Sequence, residues 1–380
     1  MNNPRITALA WGCLEGRRPR VAGYNARLGE HGDHIRLPLL HVTTEDGCSG
    51  FGWCDASKEQ AVALLGERLD DVFLANRGVV EAYLAFDYPL WDLVGQHAGL
   101  PVYAVAAIAG KAVSVSTPMR VPCYDTSLYF DDLHIADEAG AAHLLVEEAQ
   151  AGYRRGHRAF KVKIGRGARH MPLEEGTRRD IAIIQAIRRE LGSDVAIMLD
   201  ANNGYNLNLT KTVLEQTAAS HITWIEEAFH EDQVLYRDLH DWLQQHNLAV
   251  LVSDGEGDAN PHLLDWAREG LVNVIQYDIY GHGFTRWLAT GRQLDAWKVY
   301  SAPHHYGSHY GNYAACHLAG GIDNLIYVEW DEATTAGLDT SGYSIAEGQV
   351  MVPASPGFGL TLDEGIFRRA VADAGYTLTL

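Results

Sequence analysis

Basic residues are scarce: 30 Lys and Arg stand against 49 Asp and Glu, a formal net charge of -19 over 380 residues. That surplus repels nucleic-acid backbones and anionic membranes, so neither is an expected partner, and an anionic ligand needs a local cationic site. Cysteines are few and scattered (Cys13, Cys48, Cys54, Cys123, Cys316), with no C-x-x-C or zinc-type spacing. An odd, dispersed set fits a reducing compartment better than a disulfide framework. No apolar run approaches the roughly 18 to 20 residues that span a bilayer. Met1 to Arg5 leads straight into a strand-like run, with no leader pattern. A cytoplasmic protein is therefore expected. Low-complexity stretches are absent too, and 47% hydrophobic with 21% charged residues is the composition of a folded globular chain.

The chain is too long for one ordinary core. Its first part alternates apolar and polar residues in "HIRLPLLHVTTEDGCSGFGW" around a D-G turn, which predicts a hairpin. Helical spacing follows over Lys58 to Leu69 and Val79 to Gly99, the latter stopped by Gly99 and Pro101. From about Pro118 short apolar runs alternate with amphipathic helical patterns. The expected strands are Arg120–Tyr124, Ala159–Ile164, Ala196–Asp200, Thr223–Glu227, Ala249–Asp254, Val272–Asp278, Trp297–Ala302 and Leu325–Trp330. This predicts an α/β fold: a (β/α)8-type TIM barrel over 118–330, an N-terminal α+β capping domain over 1–117, and a C-terminal segment, 331–380, that packs back on the cap. A doubly wound sheet is the alternative, because strand count does not show closure.

Barrel active sites lie at the carboxyl ends of the strands. Three consecutive strands deliver acids there: "IMLDANNGY" ends on Asp200, "TWIEEAF" on Glu226 and Glu227, and "LVSDGEG" carries Glu256 just past Asp254. Any one of them alone could equally cap the next helix. Gathered together, they repel one another unless a cation sits between them, and separate oxygen ligands with open positions suit Mg²⁺. The bases lie elsewhere on the rim. A period of two puts Lys161 and Lys163 of "FKVKIG" on one face, and "APHHYGSHYGN" supplies His304, His305 and His309, with Asp278 ending the strand before. A Lys beside a second cation is expected to lose proton affinity, and a His fixed by a carboxylate can take or give a proton.

In this order the motifs resemble the enolase superfamily, in its mandelate racemase-like branch, over nearly the whole chain. "FKVKIG" is similar to that family's K-x-K strand, "LDANNGY" to its D-x-N, "WIEEAF" to its W-I-E-E-P, "GEG" to its fifth-strand Glu, "APHH" to its seventh-strand base and "YVEW" to its eighth-strand Glu. The resemblance implies one Mg²⁺ per subunit held by Asp200, Glu226 and Glu256. It implies Lys163 as the base on one face with Lys161 as its electrostatic partner, and His304 oriented by Asp278 on the other face. Glu329 then meets the enolising carboxylate, and Asn202 is a polar contact near the metal. His305 competes with His304 by one position. Ala228 stands where the family has Pro, Asn202 occupies the place of a third-strand His, and "RGARHMPLEEGT" lengthens the loop after the K-x-K strand.

The chemistry implied is Mg²⁺-dependent abstraction of the proton α to a carboxylate, with the metal and Lys161 stabilising an enediolate. The polar capping loop "YNARLGEHGDH" favours a hydroxylated ligand, so the expected activity is dehydration of a sugar acid, aldonate or aldarate, to a 2-keto-3-deoxy acid. Tyr124, Asp125 and His34 are expected substrate contacts. A racemase, epimerase or cycloisomerase is the alternative, and a non-catalytic barrel that only binds is the second. The expected partner is a small-molecule carboxylate, and the expected assembly a homo-oligomer.

Overall fold

The computed structural model describes residues 3–107 and 119–380. The amino-terminal layer is an antiparallel sheet. Strand β1 (Ile6–Ala22) pairs with β2 (Gly32–Thr44), which returns as β3 (Ser49–Trp53) in the register Thr43↔Ser49. The D-G turn forms as expected: Gly47 has φ 82°, and Asp46 Oδ1 accepts the Thr44 hydroxyl at 2.6 Å. Helix α1 (Asp87–Ala98) lies directly on β3. Glycine is required there, because a Cβ on Gly50 or Gly52 would sit 2.3 and 2.6 Å from backbone nitrogens of Leu93 and Pro89. The helix stops at Gly99, which is left-handed at φ 65°.

The two other helical expectations are only partly met. Lys58–Leu69 becomes a single turn, Lys58–Val62, and a second short one at Leu69–Val72, separated by Gly66 at φ 90°. Val79–Phe86 gives a 3₁₀ turn, Glu81–Phe86, ahead of α1.

Eight strands follow in parallel: β4 (Met119–Leu128), β5 (Ala159–Lys163), β6 (Ala196–Asp200), β7 (Ile222–Glu226), β8 (Leu251–Asp254), β9 (Val274–Ile275), β10 (Tyr300–Ser301) and β11 (Val328–Trp330). Each pairs with the next as far as β10, and β11 pairs with β4 in the register Glu329↔Tyr124. The remaining seam is bridged by Ser301↔Leu325, with Ser301 N–H donating to Asn324 O at 2.9 Å and Ile326 N–H to Ser301 O at 3.0 Å. The sheet thus returns to its first strand, and the doubly wound alternative falls. Between the strands run α2 (Glu138–Arg154), α3 (Leu173–Leu191), α4 (Leu207–Gln216), α5 (Gln233–Gln245), α6 (Leu263–Arg268), α7 (Phe284–Trp297) and α8 (Tyr310–Leu318). Inside the barrel, Tyr124, Ala159, Met198, Trp224, Val274 and Ala302 form a closed apolar layer, large side chains against small, which makes a floor beneath the strand ends.

The expected domain boundary between 117 and 118 lies outside the described residues. Beyond β11 the chain splits its contacts. Strands β12 (Thr334–Thr335) and β14 (Tyr376–Thr379) pair with β1, whereas β13 (Gln349–Val352) pairs antiparallel with β4. Helix α9 (Glu364–Ala374) packs on β1. The cap is tied to α7 through Thr285, whose backbone N–H and hydroxyl both donate to Asp87, at 2.9 and 2.5 Å. Among the described residues no helix is long and apolar enough to cross a membrane.

Candidate active site

Alternation along β5 turns Lys161 and Lys163 into the barrel mouth, and both are buried. Lys161 Nζ lies 2.8 Å from Glu226, 3.2 Å from Glu329 and 3.6 Å from Asp200, above the Tyr124 ring. Lys163 is hydrogen-bonded to Asp200 and lies 5.4 Å from the Tyr129 ring centre. Two ammonium groups are tolerated side by side because acids surround them. That reverses one expectation. Burial lowers the proton affinity of both, but Glu226 and Glu329 at Lys161, and Asp200 at Lys163, outweigh burial and the neighbouring cation, so both lie above the ordinary lysine value.

His304 stands at the end of β10, where a backbone bridge joins it to Asp278. Its Nδ1 is hydrogen-bonded to Asp278, whose other oxygen accepts Gly257 N–H at 2.9 Å. Nε2 points to Glu256, 3.2 Å away. Burial pulls the imidazole down, but Glu256 and Glu329 with the Asp278 bond push it up to about 10. Glu329 accepts from Thr126 Oγ1 at 2.6 Å and from His305 N–H at 2.8 Å. Burial raises this carboxyl, yet Lys161 and His304 hold it well below the usual range.

Asp200, Glu226 and Glu256 offer oxygens that all lie within 4.8 Å of one another. Separate carboxylate oxygens converging from three strands are the hard donor set that would suit Mg²⁺. The surroundings point the same way. Buried Asn202 Oδ1 has no partner, and Glu256 Oε2 faces His304 without an aligned hydrogen bond. Burial, with Asp200 and Glu256 adding to it against Lys161, pushes Glu226 to about 7; acids crowded like this either hold protons or hold a cation. Glu226 is aimed by Trp224 Nε1 at 3.1 Å and Gln276 Nε2 at 3.0 Å.

Lys161, Lys163, Asp200, Asn202, Glu226, Glu256, Asp278, His304 and Glu329 are thus brought together, and the other candidates are not. Tyr124 belongs to the floor beneath Lys161. Asp125, next along the pleat, faces the helix layer and pairs with Arg155 at 3.2 Å. His305 turns away from His304, its Nε2 bonded to Glu329 O at 2.7 Å. The side chain of His34 is 63% exposed and lies 3.7 Å from Asp33.

Sequence reasoning missed several residues. Thr126 is legible only through alternation from Tyr124, and Gln276 only as the polar residue just past β9. Glu227, the second acid of the pair, was quoted without a role. It accepts from Asn202 and Asn203 at 2.9 and 2.6 Å, and burial beside Glu256 pushes it to about 10. Asn202 and Glu227 sit at φ 41° and 42°, strained backbone of the kind that gathers at functional sites. A cleft of about 420 Å³ opens beside Asn202, Glu227 and Glu256, walled on the far side by Asn25, Arg27 and Leu28 of the cap. The inserted loop after β5 docks on that cap loop: Arg169 Nη1 donates to Arg27 O at 2.5 Å, and His170 Nε2 to Asn25 O at 2.8 Å.

Comparison with known proteins places the chain among similar ones. The enolase C-terminal domain-like family model matches residues 144–366. A galacturonate dehydratase from Geobacillus sp., in complex with D-galacturonate and 5-keto-4-deoxy-D-galacturonate, is 45% identical. The match covers 99% of each chain, with a TM-score of 0.94. A mandelate racemase/muconate lactonizing protein from Geobacillus sp. Y412MC10, complexed with magnesium and tartrate, is 45% identical over 100% of this chain and 98% of its own, with a TM-score of 0.97. An arabinonate dehydratase from Saccharolobus solfataricus is 23% identical over 300 residues, 77% of this chain and 73% of that protein.

Proposed function

The chain belongs to the enolase C-terminal domain-like family, and on that premise we propose that it is a Mg²⁺-dependent dehydratase of a sugar acid, with D-galacturonate as the first substrate to test. The observation that carries this reading is the placement of two proton-transfer groups, Lys163 and the His304–Asp278 pair, on either side of one buried triad of acids. We also take 1–117, with the strands of 331–380 that pair on β1, as the cap, and 118–330, to which β13 adds, as the catalytic barrel.

Asp200, Glu226 and Glu256 would hold the metal. When bound, Mg²⁺ supplies positive charge that compensates these acids and polarises the substrate carboxylate. Lys161, fixed between Glu226 and Glu329, keeps its ammonium beside the same carboxylate as negative charge grows there. Lys163 Nζ, once it has given up its own proton, takes the α-proton, and the C–H electrons form the carbon–carbon double bond of an enol. The β carbon–oxygen bond breaks, and its electrons leave with the hydroxyl. His304 Nε2–H protonates that hydroxyl to water, while Asp278 holds Nδ1–H and so fixes ring and tautomer. The enol then takes a solvent proton on the former β-carbon, gives up its O–H proton and becomes the ketone.

Galacturonate fits this scheme. Its C5 proton is α to the C6 carboxylate and its C4 hydroxyl is β, so elimination gives the 5-keto-4-deoxy acid, the same pattern as a 2-keto-3-deoxy acid counted from the carboxylate end. A keto-acid assay with D-galacturonate and Mg²⁺ tests the proposal. Formation of the keto-deoxy acid supports it, and α-proton exchange with no loss of hydroxyl sinks it.

A further inference from the structure

An aromatic corner of Tyr129, Tyr306 and His31 stands beside Lys163. Tyr129 lies beside Lys163, and Tyr306 follows His304 by two residues. Their rings are 5.1 Å apart, and His31 from the cap leans on both, at 4.8 Å from Tyr129 and 5.4 Å from Tyr306. His31 is locked by its own loop: its backbone N–H donates to Ala22 O at 3.0 Å, and Nδ1 lies 2.8 Å from Gly23 O. A carbonyl only accepts, so Nδ1 carries the hydrogen and Nε2 is a bare acceptor. Among the described residues Nε2 has no hydrogen-bond partner, and the buried Tyr306 hydroxyl has none either. The corner offers hydrogen bonds but no free charge. The cations acting on His31 are Lys163 and Arg18. Lys163 is held by Asp200, and Arg18, stacked on Tyr306 at 4.2 Å, by Asp331 at 2.9 Å.

We propose that His31, Tyr129 and Tyr306 form the subsite for the end of the sugar acid remote from its reacting carboxylate, with His31 Nε2 and the Tyr306 hydroxyl bonding its hydroxyl groups. The subsite selects a neutral remote end and rejects a second carboxylate. It rests on the functional reading above and narrows it to aldonates and uronates rather than aldarates. Apolar ring faces cover the C–H face of a sugar, and a carboxylate placed there would lose water and meet no unpaired cation.

The test compares D-galacturonate, L-galactonate and galactarate, which share the configuration beside one carboxylate and differ in the end remote from it, with the Mg²⁺-loaded enzyme. The expected kcat/KM for galactarate is lower than for D-galacturonate by roughly a hundredfold or more. His31→Leu and Tyr306→Phe each lower kcat/KM for galacturonate by roughly tenfold, mainly through KM, and His31→Gln, which restores an acceptor, recovers part of it. His34→Leu, in the same stretch but outside the corner, is the control and stays within about twofold. Equal turnover of galactarate, or a His31→Leu enzyme like wild type, overturns the subsite alone. No turnover of any sugar acid overturns the functional reading, and the subsite with it.

Discussion

Lys163 and Lys161 differ by two residues and a few ångströms, yet their surroundings give them different work. Lys161 lies within reach of three acids; Lys163 is paired with one and faces the Tyr129 ring. Lys163→Ala is expected to lower kcat by roughly a thousandfold or more, within the range for losing a positioned proton-transfer group. Circular dichroism of the variant should match wild type, and comparable turnover would remove Lys163 from the mechanism. Asp278→Asn is the gentler test. It keeps the contact with His304 but not the charge, and a loss of roughly a hundredfold in kcat with little change in KM is expected. The choice between His304 and His305 was one position wide in the sequence. It is decided by partners: His304 has Asp278 at Nδ1 and turns Nε2 toward Glu256 of the acidic triad, whereas the backbone N–H and the Nε2 of His305 are engaged by Glu329.

The elements of the barrel were legible because the buried strands are short apolar runs, several of which end on a charge, as those of β6, β7 and β8 do. Strands β9 and β10 shrink to two residues in the structure, and beyond them Asp278 and His304 are joined only by an isolated bridge. What the sequence hid was side-chain direction in loops. His31 and His34 lie three residues apart in one polar stretch, and only the register of β1 with β2, Arg17↔His34, shows that His34 already belongs to the outward strand. The inserted loop after β5 was equally silent, because its contacts run to backbone carbonyls. Arg169→Ala combined with His170→Phe removes both anchors of the cap loop. It should raise KM for the sugar acid several-fold while kcat falls less, a split read from steady-state kinetics. An unchanged KM would show that the cap loop holds its position without them.

At the scale of the whole molecule, cap, barrel and C-terminal segment meet at His317 on α8. Its Nδ1 accepts Tyr103 N–H at 2.9 Å, and Nε2 pairs at 2.8 Å with the Tyr343 hydroxyl, which donates to Phe358 O. Burial pushes this imidazole down to about 3, so the unfolded chain binds its proton from about 6.5 downward while the folded one does not. Its contribution is full above pH 6.5 and is lost as pH falls toward 3, by at most about 1.4 kcal/mol per pH unit. His317→Asn retains an acceptor for Tyr103 but does not titrate. Denaturation across pH 7 to 4 should therefore show the wild type's advantage shrinking with acid, and a constant difference would contradict the assignment. Mg²⁺ acts over the same scale: at a hundred times Kd it should stabilise the fold by about 2.7 kcal/mol, seen as a rise in Tm that Glu256→Gln diminishes. The most direct measurement of the central claim is the reaction of D-galacturonate with the Mg²⁺ enzyme in D₂O, followed by proton NMR. The account predicts the 5-keto-4-deoxy acid, carrying solvent deuterium at C4 from ketonisation of the enol. Deuterium at C5 with the C4 hydroxyl retained, with or without inversion, would contradict it.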